Sequence, residues 1–426
     1  MNQRNIKQEK IWLKLKCNKK IYLFNTKNLL LVELFSKNQI MKKKALRQTI
    51  AVLDASQNTL SSDPVKFSTN IESIALNVIE KCNLSCSYCY ADKGTYGRSS
   101  TMSYKTAISS INYLSRYKKK FHIKFFGGEP LLNFNLIQKV TKWCLNQKKE
   151  FSFSITTNGT LVKKSHIEFF KKNNFSLIVS YDGKFLQNQQ RPPQKKSSWR
   201  KNNFQEIFNS DIFKSKSLVL RTTITPNYLN YFPQIIDELI FEKKINIYYS
   251  RSISKDKPER YNTKQIRQLE FFLFEFINKC FARKDFNSIL LLKNISTIIH
   301  AINKRQRKEK FCSAGINYLS VSTDGSFYIC HRFTEHCDAT LGSVEHGINE
   351  KKIEKILNFR EKPPKKCAVC WAKNLCSGGG CMHENKVSNN TFFEPDNLSC
   401  QLFRTECKVA LIAYIQILKN APQLLK

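Results

Sequence analysis

Three cysteines fall within one short run, KCNLSCSYCY, where Cys82, Cys86 and Cys89 make a C-x3-C-x2-C spacing. Thiols seldom gather this closely for packing alone, and three on one loop are corners of a metal site. An iron–sulfur cube has four irons and ordinarily four cysteine ligands, so a loop that supplies three leaves one iron open to something else. A zinc knuckle would need a fourth Cys or His close by, and the nearest histidine, His122, stands 33 residues beyond Cys89. Three buried core thiols are the plain alternative.

Cysteines become dense again after Phe311. Cys312 and Cys330 are spaced C-x12-G-x4-C, and Cys367, Cys370, Cys376 and Cys381 follow as C-x2-C-x5-C-x4-C, with Cys400 beyond. Tight turns can present several thiolates without a large core, which marks a second metal region. Two zinc ribbons are the competing reading. Cys17, Cys144 and Cys280 sit singly on apolar stretches and read as core.

The elements that must position these residues follow from periodicity. Apolar strand-like runs occur at 71–79, 123–126, 151–156, 176–180, 218–225 and 245–249, with helix-length segments at 103–117, 131–146, 164–172, 203–213 and 231–242 between them. Six β/α repeats imply a parallel sheet covered by helices, either doubly wound or an incomplete barrel. Such folds put chemistry at the carboxyl ends of the strands. There stand Gly127, Gly128, Glu129 and Pro130 after the second run, Thr157, Asn158 and Gly159 after the third, and Ser180, Asp182 and Gly183 after the fourth. The glycines allow close backbone approach to a ligand, Glu129 offers a carboxylate to an ammonium group, and Ser180 and Asp182 suit ribose hydroxyls; all are also ordinary turn residues.

The cysteine loop, with Tyr88 before its third cysteine, and the GGEP run one β/α unit later resemble the radical S-adenosylmethionine (SAM) enzymes. That resemblance implies α/β architecture in the form of a partial (β/α)6 TIM barrel. It further implies a 4Fe-4S cluster on Cys82, Cys86 and Cys89 whose open iron is chelated by SAM, and SAM contacts from Tyr88, Gly127, Gly128, Glu129, Pro130, Asn158, Ser180, Asp182 and Arg221. The later cysteines resemble the SPASM extension, which implies two auxiliary 4Fe-4S clusters. Family pairing gives Cys312, Cys330 and Cys381 to the first and Cys367, Cys370, Cys376 and Cys400 to the second. Four residues, SGGG, separate Cys376 from Cys381 where that layout has three. The first cluster then lacks a fourth ligand, which Cys337 or Cys407 could supply, or an iron could stay open to a substrate sulfur. SPASM enzymes mostly modify ribosomally made peptides and proteins, and CYADKGTYG with FFGGEPLLNF looks most like thioether-forming peptide maturases. The expected partners are a precursor peptide or protein and a low-potential electron donor of flavodoxin or ferredoxin type. An anaerobic sulfatase maturase is the alternative; it carries an acidic residue where this chain has His331, whose imidazole can also accept a proton. An RNA-modifying enzyme of the same superfamily is a more distant reading.

Four segments are expected: a small N-terminal unit at 1–65 that could bind a leader peptide, the barrel at 66–255, a helical connector at 256–310 and the SPASM region with a C-terminal helix at 311–426. The chain of 426 residues is 41% hydrophobic, enough for several packed domains. No apolar run is long enough to span a bilayer, and the N-terminus has no apolar signal segment, so a cytoplasmic protein without membrane contact is expected. Fifteen cysteines in a reducing compartment favour metal ligation over disulfides. The formal charge of +38 would suit an acidic partner, yet lysines are spread along the whole chain rather than along one stripe, which disfavours a nucleic-acid substrate.

Overall fold

The computed structural model describes residues 12–17, 20–34, 70–194, 204–210, 218–253, 260–334 and 337–426. The sequence also carries a helix-like run at 42–53 and a linker-like stretch at 56–64, both outside these residues. Two compact units form, one from residues 1–66, 266–312 and 359–426, the other from 67–265 and 313–358.

In the first unit β1 (Trp12–Cys17), β2 (Lys20–Asn25) and β3 (Leu31–Leu34) make an antiparallel meander. Asn25 ends β2 because its side-chain oxygen accepts from the backbone N–H groups of Lys27 and Asn28, at 2.8 and 3.1 Å. Three strands cannot cover Tyr22, Leu23 and Phe24, all buried, by themselves. The long helix Asn397–Asn420 supplies the missing partner: Gln416 Nε2 lies 2.9 Å from Cys17 Sγ, and Lys419 Nζ lies 3.1 Å from Glu33. Asn374 adds a bond to the Thr26 carbonyl at 2.7 Å. The N-terminal strands therefore belong with the C-terminal residues. Helices Thr263–Ala282, Phe286–Leu291 and Lys293–Asn303 occupy the expected helical connector, with Cys280 buried.

The second unit is built on six parallel strands paired in chain order: β4 (Ser73–Ile79), β5 (Lys120–Gly127), β6 (Glu150–Thr157), β7 (Ser176–Ser180), β8 (Leu218–Ile224) and β9 (Ile247–Arg251). Helices Tyr104–Ser115, Phe134–Leu145 and Lys164–Lys172 fall in the first three crossovers, as the partial barrel requires. The first begins where Ser103 caps it, accepting from the Thr106 N–H at 3.0 Å. Period-two alternation sorts the strands: Phe121, Ile123 and Phe125 of β5 are buried, and Phe125 stacks with Phe153 and Phe175 at 6.3 and 5.8 Å. Each such ring contributes roughly 1.5–3 kcal/mol by burial. His122, Lys124 and Phe126 alternate with them.

The sheet does not stop at six strands. β10 (Tyr318–Val321) lies parallel to β4, with Tyr318 opposite Ser73, and β11 (Ser326–Tyr328), β12 (Thr340–Ser343) and β13 (Gly347–Ile348) continue antiparallel. Buried polar bonds fasten this addition: Asn77 Nδ2 to Thr334 Oγ1 at 2.9 Å, and Thr323 Oγ1 to Glu80 at 2.9 Å. Residues 313–358, expected within the SPASM region, thus share the barrel's sheet.

Candidate active site

The chain leaves β4 at Ile79 and enters the cysteine loop at the carboxyl end of the sheet, where the repeat pattern places chemistry. Cys82 Sγ accepts from the Leu84 N–H at 3.4 Å and from Asn158 Nδ2 at 3.7 Å. Asn158, at the end of β6, also bonds Asn83 at 2.9 Å, so it braces the loop beside the first cysteine. The Cys89 N–H bonds the Cys86 carbonyl at 3.2 Å, which turns the second and third thiols toward one region. Burial raises both Cys82 and Cys86, the latter to about 11, with neighbouring thiols adding to the rise. Thiols this reluctant to ionise call for a cation, and three of them on one loop fit a cluster with an open iron.

Gly127 and Gly128 are required by the loop's own backbone. A Cβ at Gly127 would stand 2.2 Å from the Ile79 carbonyl oxygen, and one at Gly128 would stand 2.1 Å from that of Lys81. The close approach they permit is therefore to the root of the cysteine loop. Glu129 is fully buried, and its carboxylate accepts from Thr157 Oγ1 and the Asn158 N–H, both at 2.7 Å, and from the Leu131 N–H at 3.1 Å. Burial pushes its carboxyl up to about 7 against these three bonds. Pro130 opens the turn that follows, at a position where a missing N–H costs nothing.

Asp182 is fully buried and spent inside the protein. Arg191 clamps it through Nε at 2.8 Å and Nη2 at 3.2 Å, the Thr223 N–H adds a bond at 2.9 Å, and the Tyr88 hydroxyl donates to it. The Arg191 guanidinium also lies 5.2 Å over the Tyr88 ring. Its segment runs alongside the cysteine loop, where the N–H groups of Ser85 and Ser87 bond the carbonyls of Pro192 and Gln190 at 2.7 and 3.0 Å. Arg191 went unnoticed in the sequence because its meaning depends on Asp182 and Cys86, both brought to it by folding. Ser180 pairs in register with Arg221.

A cavity of about 360 Å³, within the range of small-ligand pockets, opens beside the loop. Ser87, Tyr88 and Cys89 line one side, and Thr225, Tyr228 and Ser252 from the ends of β8 and β9 line the other. The last three carried no motif. Glu129, Asn158 and Asp182 are not among its lining residues; they stand behind the loop.

His331 follows β11 in a short turn. Its Nδ1 is 2.7 Å from the Tyr318 hydroxyl, and its ring lies 4.3 Å from Phe126 and 6.4 Å from Tyr90, the residue after Cys89. Arg332 sits 5.5 Å over the Tyr90 ring. Burial, then the nearby Arg332 charge, lowers Arg221, so the two guanidiniums make one cationic corner suited to an anionic ligand.

In the first unit, Cys367, Cys370, Cys376 and Cys400 line a single cavity of about 100 Å³ together with Phe311 and Phe403. Burial pushes Cys376 up to about 12 and raises Cys400. Among the described residues the cysteines form no disulfide, and no three His, Cys, Asp or Glu side chains converge as one metal ion demands. The irons of a cluster each take their own thiolate, so four cysteines arranged around a cavity fit a 4Fe-4S group. Cys312 and Cys381 flank Arg360, while Cys330 is buried in the other unit. Cys407 is fully buried in the long helix within reach of Cys370 and Cys376, which places it beside the second ligand set. The side chain of Cys337 is outside the described residues.

Residues 76–209 match the Radical SAM superfamily. The radical SAM cyclopropyl synthase TigE of Paramaledivibacter caminithermalis is 25% identical over 80% of this chain and 74% of its own length. A cysteine-type anaerobic sulfatase-maturating enzyme of Clostridium novyi is 24% identical over 78% of this chain and 94% of its own. Among solved structures, native anSMEcpe with bound AdoMet and Cp18Cys peptide has a TM-score of 0.64 at 20% identity, covering 82% of this chain and 99% of that one. SuiB of Streptococcus suis bound to precursor peptide SuiA has a TM-score of 0.55 at 16% identity, covering 92% and 98%. No helix among the described residues is long and apolar enough to cross a membrane. The cysteine loop and the strand-end residues that brace it fall within the 76–209 match to the Radical SAM superfamily, on an α/β fold shared with anSMEcpe and SuiB.

Proposed function

We propose that this protein is a radical SAM maturase that modifies a cysteine-containing peptide or protein. The observation that carries the reading is the braced loop of Cys82, Cys86 and Cys89 at the carboxyl end of the parallel sheet, beside a cavity of 360 Å³. Cys82, Cys86 and Cys89 would hold a 4Fe-4S cluster, which would supply the electron for reductive cleavage of SAM to a 5′-deoxyadenosyl radical. The chain's own residues do the rest. Tyr88, Thr225, Tyr228 and Ser252 bind the nucleoside in the cavity, and the Arg221 and Arg332 corner receives the SAM carboxylate. Glu129 holds Asn158 under the loop from behind, and Gly128 lets the backbone close on the loop's root. His331 accepts a proton from the substrate, and its partner Tyr318 fixes the ring.

SuiB, seen with its precursor peptide, supports a peptide substrate, and the cyclopropyl synthase TigE supports bond formation; a thioether from cysteine is our reading of that bond. The sulfatase-maturating relative supports a second reading, oxidation of a cysteine to formylglycine, for which His331 stands where that group carries an acidic residue. Both use auxiliary clusters on the C-terminal cysteines and an external low-potential donor. Anaerobic incubation of the reconstituted protein with SAM, dithionite and synthetic cysteine peptides separates the two. Loss of two hydrogens with sulfur retained supports the thioether, whereas loss of the sulfur supports formylglycine. Absence of 5′-deoxyadenosine would overturn both.

We assign β1–β3 to capture of an extended leader. Among the described residues β3 pairs only with β2, which leaves an edge for strand addition. Excess leader peptide added in trans should then inhibit modification of the full precursor while uncoupled SAM cleavage continues. Equal inhibition of both would reject the assignment.

A further inference from the structure

The helix Glu350–Glu361 ends on a guanidinium that the site described so far does not use. Arg360 is 6% exposed. One arm is occupied, since Nη1 donates to the Gly380 carbonyl at 3.0 Å. The other face is not: Nε and Nη2 are buried and meet no hydrogen-bond acceptor among the described residues. A buried orphan donor on a cation is among the costlier features a fold can retain, commonly 1–3 kcal/mol for a neutral group and more for a charged one. The surroundings say what it waits for. The groups whose charge favours the Arg360 cation are Cys312, Cys381 and Cys376.

The backbone is shaped around this side chain. Gly378, Gly379 and Gly380 all have positive φ, at 80, 76 and 63°, and they carry the chain between Cys376 and Cys381. A Cβ at Gly379 would stand 3.0 Å from Arg360 Nη1. The four-residue spacer, one longer than the family layout, thus supplies the carbonyl that anchors the guanidinium as well as the room it occupies.

We propose that Arg360 donates hydrogen bonds from Nε and Nη2 to the sulfurs of a C-terminal iron–sulfur cluster ligated by Cys312 and Cys381, and holds that cluster's reduction potential high. Hydrogen bonds to sulfur and a nearby positive charge both favour the reduced, more negative state. The inference rests on the reading that these cysteines bind clusters, and the experiment distinguishes the two. Full-length protein is reconstituted, its iron and sulfide counted, and the midpoint of each centre followed by spectroscopically monitored redox titration. Wild type with iron for a single cluster would remove the cluster reading, and the inference with it. With the auxiliary clusters present, Arg360→Gln should lower the midpoint of one auxiliary centre by a tenfold change in its equilibrium, about 59 mV for one electron. Arg360→Lys, which keeps the charge, should recover part of that shift, and the radical SAM centre should not move. Should Arg360→Gln lose one cluster's iron, retention by Arg360→Lys supports the counter-charge. Unchanged midpoints in Arg360→Gln, or equal iron loss in both variants, would reduce Arg360 to a packing residue and overturn the proposal.

Discussion

The loop of Cys82, Cys86 and Cys89 and the cavity of Cys367, Cys370, Cys376 and Cys400 hold thiols by different means. The loop hangs between strand ends and is kept in place by charged and polar groups behind it: Arg191 with Asp182, Asn158 with Asn83, Glu129 with Thr157. The cavity is enclosed by short helical turns and aromatic rings, with Phe311 and Phe403 on its wall. On the proposed reading, three thiols in a polar frame beside an open pocket would leave an iron free to exchange a ligand, while four around a small apolar-walled cavity would saturate a cluster. The first arrangement would suit turnover and the second electron storage.

The largest test of that contrast is to remove the loop's thiols. Cys82, Cys86 and Cys89 changed together to Ala should abolish SAM cleavage and lower iron by about one third, leaving the C-terminal share intact. Unchanged iron, or zinc in its place, would break the contrast outright.

Next comes the frame. Arg191→Met leaves the Asp182 carboxylate buried with its charge uncompensated, and should cost roughly 3–5 kcal/mol in denaturant unfolding. A loss below about 1 kcal/mol would show that the loop does not depend on the pair. SAM cleavage should fall with it, whereas the iron bound by Cys367 and its neighbours should not.

Glu129 sharpens the comparison through pH. Its folded value is raised to about 7 from the model-compound value of 4.5 by burial. The folded state therefore binds more protons between these values, and the stabilising contribution is complete below about 4.5 and is lost as pH rises through about 7. For the cluster-free protein this amounts to on the order of 3 kcal/mol. Glu129→Gln should flatten the pH profile and, by loosening the hold on Asn158 under the loop, weaken SAM binding about tenfold. Equal pH slopes in the two proteins would mean that the carboxyl is solvated in solution.

The smallest effect is expected in the glycine spacer. Gly379→Ala imposes a Cβ at φ 76° against Arg360, for about 1–2 kcal/mol. Cluster content on the C-terminal side should drop while uncoupled SAM cleavage persists.

The six parallel strands were readable because each is a short apolar run set off by helical periodicity, and the Cys82 loop because its spacing is local. What could not be read depends on distant partners. β10 is only four residues long, and nothing in YLSV announces a parallel mate at Ser73. Asp182 looked available for ribose because Arg191, nine residues on, reaches it only through the folded turn. Arg360 carries no motif at all, since its significance is an unmet hydrogen bond, which exists only in three dimensions.

The pairing of β10 with β4 has a consequence for how the protein is made. The strand that leads into the cysteine loop keeps one edge open until Asn317 arrives, and Ser73 donates to that carbonyl across 244 positions. At typical synthesis rates the interval is on the order of ten to fifty seconds, during which an apolar edge stands uncovered next to three free thiols. A nascent chain in that condition is vulnerable to oxygen and to pairing with its neighbours. Expression at high rate should therefore favour aggregates nucleated on β4, and a truncation ending before Tyr318 should aggregate even where the six β/α units are complete.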